Sequence, residues 1–148
     1  MRERQGTTLA EFVGRCGPLR GHALLRFAVG TVAIVAKLHA RGATGLRLGK
    51  ESVALGPGGQ VLIGWRTAAP PAHAEDVRAW ADLVVFAATG SERGDTTVLP
   101  PALRIAVAQC RRPDPASRPA SGDVLRVLLS RSVAAAVASV DDLLHKAG

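Results

Sequence analysis

Few residues in this chain have types and spacings that could do chemistry. Cys16 and Cys110 sit in helical contexts without metal-ligand spacing, which predicts two reduced thiols. His39 has no Cys, Asp or second His at ligand spacing, so it reads as a structural histidine at a helix end. The turn Gly56-Pro57-Gly58-Gly59 lacks the Lys and the following helix of a phosphate-cradling loop. It predicts a hairpin between Ser52–Leu55 and Gln60–Ile63. Asp76 opens the apolar segment EDVRAWADLVVFAATG, where the helix dipole favours a carboxylate.

Length and composition limit what these residues can serve. A chain of 148 residues suits one domain, 1–148, and 47% apolar residues can build a core. The longest apolar stretch, Ala23 to Leu38, carries Arg26 and Lys37 and is too short to span a bilayer. MRERQGTT has no apolar run behind its charges and does not read as a signal peptide, so a cytoplasmic chain with no membrane partner is expected. Nineteen Lys and Arg against twelve Asp and Glu give a net charge of +7. Such a charge could meet nucleic acid. Aromatics make up only 3%, however, with no Tyr for base stacking, and Arg111-Arg112 is the lone adjacent basic pair. Nucleic-acid binding is therefore the least favoured function class.

The elements that would position these residues are mainly helical. Thr8-Leu9-Ala10-Glu11 is a capping-box pattern for a helix ending near Cys16, with Gly17 as its left-handed cap. Pro18 suits the first turn of the next helix, which runs to about Arg41. Its apolar stripe is Leu25, Ala28, Val32, Val35 and Leu38, and Gly42 ends it. The helix from Ala74 to Ala88 is apolar on nearly every side and should be the most buried. Ser91 to Val98 is a polar linker before a helix from Leu99 to Gln109, with Leu103, Val107 and Cys110 on one side. Ser121 can cap a helix that turns Val124, Leu125, Leu128 and Leu129 inward. An extra C-terminal helix within 131–148 carries Val133, Val137, Val140 and Leu144 at helical spacing.

In this order the motifs resemble the C-lobe of a protein kinase. TLAEFVGRCGPL is similar to the first C-lobe helices of actinobacterial serine/threonine kinases. Leu38, His39 and Gly42 match the L-H-x-x-G approach to the catalytic loop, and Asp114 to Pro119 match D-P-x-x-R-P. EDVRAWADLVVFAATG resembles the central helix of that lobe. Without gaps, H-R-D falls on Gly45, Leu46 and Arg47, the loop lysine on Gly49, and the loop asparagine on Ser52. D-F-G falls on Trp65, Arg66 and Thr67.

The resemblance implies a kinase frame from which the chemistry is gone. Arg47 cannot act as a base, and Trp65 has no oxygen for Mg²⁺. Asp76 is expected to hydrogen-bond the catalytic-loop backbone. Arg118 has lost its family partner, the A-P-E glutamate, and Asp114 or Glu75 is expected to replace it. Only seven residues precede Thr8, so no N-lobe is expected, and with it no ATP site, no cofactor and no kinase activity. The resemblance thus implies a C-lobe-only pseudokinase that binds another protein, either a kinase or a copy of itself. The alternative is a subunit that completes a nucleotide site with another chain's N-lobe. Val53, Leu55, Leu62, Trp65 and Arg66, on the hairpin face that an N-lobe would cover, are the expected docking residues.

Overall fold

The computed structural model describes residues 7–43, 45–56, 61–65 and 73–130, with the backbone alone at Gly64 and Trp65. Arg66, Thr67, the Gly56–Gly59 turn beyond its first residue and the expected C-terminal helix lie outside these residues. The architecture is mainly helical with a small antiparallel sheet.

Helix α1 (Leu9–Cys16) starts with the capping box. The Glu11 N–H donates to Thr8 Oγ1 and the Thr8 N–H donates to Glu11 Oε1, both at 3.1 Å. Gly17 closes the helix at φ 86°, and its N–H reaches the Val13 carbonyl at 2.8 Å. Helix α2 (Gly21–Ala40) begins three residues after Pro18 rather than at it. The Leu19 N–H is bonded at 2.7 Å to the Ala87 carbonyl, so the intervening segment is strapped to a distant helix instead of starting its own. Gly42, at φ 85°, follows the end of α2.

At 20 residues α2 is about 30 Å long and, by length and composition, could cross a membrane, so the expectation that it is too short does not hold. Here its Leu24, Phe27, Ala28, Thr31, Val32 and Val35 are buried in the core. Leu25 and Leu38, expected in the same stripe, are half-buried.

Helix α3 (His73–Thr89) fills the centre: Asp76, Val77, Trp80, Ala81 and every residue from Leu83 to Ala87 are buried. The Trp80 Nε1–H donates to the Ala28 carbonyl at 3.1 Å and to Thr31 Oγ1 at 3.0 Å, pinning α3 to α2. Helix α4 (Pro101–Cys110) lays Leu103, Ala106, Val107 and Cys110 into the same core. A final described helix, α5, spans 121–130 and buries Val124 and Leu128. Leu129, expected inward, is 43% exposed.

The expected hairpin is present but shorter and more elaborate. Ala54–Leu55 (β3) pairs antiparallel with Val61–Leu62 (β4), Ala54 opposite Leu62. Thr7–Thr8 (β1) adds a third strand on the far side of β3. A second antiparallel pair joins Leu46–Arg47 (β2) to Gly64–Trp65 (β5), Leu46 opposite Trp65.

Candidate functional site

The polar centre of the molecule gathers at Asp76, in the first turn of α3 and 3% exposed. Its Oδ1 accepts the backbone N–H of Leu46 in β2 at 3.0 Å. Its Oδ2 lies 2.9 Å from His39 Nε2, near the C-terminal end of α2. His39 Nδ1 lies 2.8 Å from the Ser121 hydroxyl, at the start of α5. The His73 ring stands edge-on to His39, centroids 4.4 Å apart.

Proton placement follows from the partners. An ionised carboxylate only accepts, so with a neutral ring Nε2 carries the proton and Nδ1 accepts from the Ser121 O–H. Hydroxyl, imidazole and carboxylate thus stand in the order of an activated nucleophile. Burial decides the use: Ser121 is 3% exposed and the side chain of His39 is 8% exposed. No substrate reaches a hydroxyl enclosed in this way. The four groups instead join the end of α2, the start of α3, the start of α5 and strand β2. Ser121 is therefore not the expected helix cap. The Ala120 carbonyl takes the first bonds of α5 while the Ser121 hydroxyl is spent on His39. His39 and Ser121 are 82 residues apart, and no local pattern in the sequence announces the pair.

Beside this clamp lies the turn that carries the loop positions. The Ser52 and Val53 N–H groups both reach the Gly49 carbonyl, at 2.9 and 3.0 Å. From outside, the Ala10 N–H bonds the Lys50 carbonyl and the Leu9 N–H bonds the Val53 carbonyl, each at 2.9 Å. Arg47 is exposed at the end of β2, beside the strand of Trp65, and Gly49, Glu51 and Ser52 are exposed on the turn that follows. Arg47 offers only donors, Gly49 nothing and Ser52 one neutral hydroxyl. Lys50 Nζ lies 5.5 Å from the Phe86 ring centre and 4.0 Å from Glu92.

The docking residues expected from the sequence are divided. Val53 is wholly buried, which removes it from any surface: the strand starts one residue later, at Ala54, and the turn aims Val53 into the core. Leu55 is half-buried and packs on the core, while Leu62 is 39% exposed. Leu46, opposite Trp65, is buried. The side chain of Trp65 and all of Arg66 lie outside the described residues.

Among the described residues, Arg118 bonds backbone carbonyls and no carboxylate. Its Nε, Nη1 and Nη2 donate to the carbonyls of Arg112, Ala74 and Pro113 at 2.8, 3.0 and 3.4 Å. Asp114, an expected partner, instead caps the turn Pro115–Ser117 through the Ala116 N–H at 3.1 Å. Glu75, the other, is exposed. The neighbouring Arg111 does pair, its Nε 2.8 Å from Asp82. Burial pushes the Cys110 thiol up to about 12, with the charge of Arg118 pulling the other way. Among the described residues, no three His, Cys, Asp or Glu side chains are grouped to hold a metal ion. No protein-family model matches the chain, and no curated protein matches it.

Proposed function

We propose that the chain is a catalytically inactive, protein kinase-like C-lobe that works in the cytoplasm as a protein-binding or regulatory module. One observation carries this. The loop positions Arg47, Gly49 and Ser52 are held by Asp76 at Leu46 and by α1 at Lys50 and Val53, yet none of the three carries a carboxylate or amide, and the exposed carboxylate of the turn, Glu51, stands one residue before Ser52. Phosphoryl transfer relies on such groups to take the hydroxyl proton and hold Mg²⁺. A rigid scaffold whose reactive positions carry a cation, a glycine and a hydroxyl suits recognition better than transfer.

The proposed partner is a protein, either a kinase or a second copy of this chain, and the proposed docking residues are Leu62 and Leu55, together with Trp65 and Arg66. No cofactor and no ATP belong to the isolated chain in this reading. The test combines sedimentation of the purified chain, alone and with kinase-related proteins, with calorimetric titration of Mg²⁺-ATP. Association weakened at least tenfold by Leu62→Glu, with no heat from ATP, is the expected result. ATP binding that arises only when a second chain is added favours completion of a shared nucleotide site. Transfer of radiolabel from ATP that a substitution at Arg47 or Ser52 abolishes would overturn the proposal.

A further inference from the structure

We draw no further inference here: the strongest candidate, the buried Ser121–His39–Asp76 side-chain cluster between α2, α3 and α5, has the hydrogen-bond order of an activated hydroxyl but is enclosed by the core and belongs to the site already described.

Discussion

Replacing Asp76 with Ala removes two acceptors at once. The Leu46 N–H, bonded at 3.0 Å, and the His39 Nε2–H, 2.9 Å from the carboxylate, both lose their partner in a buried setting. Each stranded donor costs about 1–3 kcal/mol, and relief of the buried carboxylate's own desolvation returns part of that. A net loss of about 3 kcal/mol is expected, a large share of the roughly 5–15 kcal/mol that holds a domain together. Asp76→Asn should cost less, about 1–2 kcal/mol. Its amide oxygen still accepts from Leu46, and its NH₂ can donate to Nε2 if the ring shifts its proton to Nδ1. The Ser121 hydroxyl then accepts rather than donates. Ser121→Ala leaves Nδ1 without its donor and should also cost about 1–2 kcal/mol. Urea unfolding monitored by far-UV circular dichroism gives the three values, and their order is the test. A double-mutant cycle on His39 and Asp76 should show coupling of about 0.5–3 kcal/mol. If Asp76→Ala unfolds within about 1 kcal/mol of the native chain, or the cycle is additive, the clamp does not hold these elements together.

Three further outcomes rest on named contacts. Thr8→Ala, which deletes one half of the capping box, should lower stability by about 1 kcal/mol in the same urea assay. In the native chain one thiol, the exposed Cys16, should react rapidly with a chromogenic disulfide near pH 8. Cys110, buried and with its thiol near 12, should react only after denaturant is added, and two fast thiols would contradict its burial. The Thr97 N–H and then its hydroxyl hold the Asp95 carboxylate below its ordinary value of 3.8. The folded group is thus the stronger acid, so its stabilisation is present above 3.8 and fades as pH falls through the depressed folded value. The unfolding midpoints of the native chain and Asp95→Ala should therefore differ at neutral pH and converge in acid. A gap that persists in acid would assign Asp95 a different role.

What the sequence made legible was local. Thr8 and Glu11 lie three apart, and their mutual bonds need nothing beyond the first turn of α1. The burial of α3 follows from an apolar surface on nearly every side, and the hairpin from the turn between its strands. The structure departs from the local pattern where distant chain takes over. Leu19 bonds to Ala87, so α2 does not begin at Pro18. The Ser121 hydroxyl is claimed by His39 from across the core. Val53 lies in the turn just before β3 and is buried in the core instead of standing on the expected docking face. At Arg118 three backbone carbonyls do the work expected of a carboxylate, because the guanidinium fork fits closely spaced oxygens of either kind. The β2–β5 pair was invisible because two-residue strands carry no periodicity.

The first two N–H groups of α1 have a consequence for the order in which this protein comes apart. A helix leaves its leading amides without internal partners, and here Leu9 and Ala10 find theirs in the carbonyls of Val53 and Lys50, far downstream in the chain. The two segments therefore protect one another from solvent as a single cooperative unit. Fraying of the chain's beginning would release the turn that bears Arg47 and Ser52, and loosening of the turn would uncap the helix. Amide hydrogen exchange at Leu9, Ala10 and Val53 should then proceed at matched rates, faster than at Trp80 or Val84 in the centre of α3. A protein seated on the exposed turn would slow exchange at the first two amides of α1, which bond the turn from its other side.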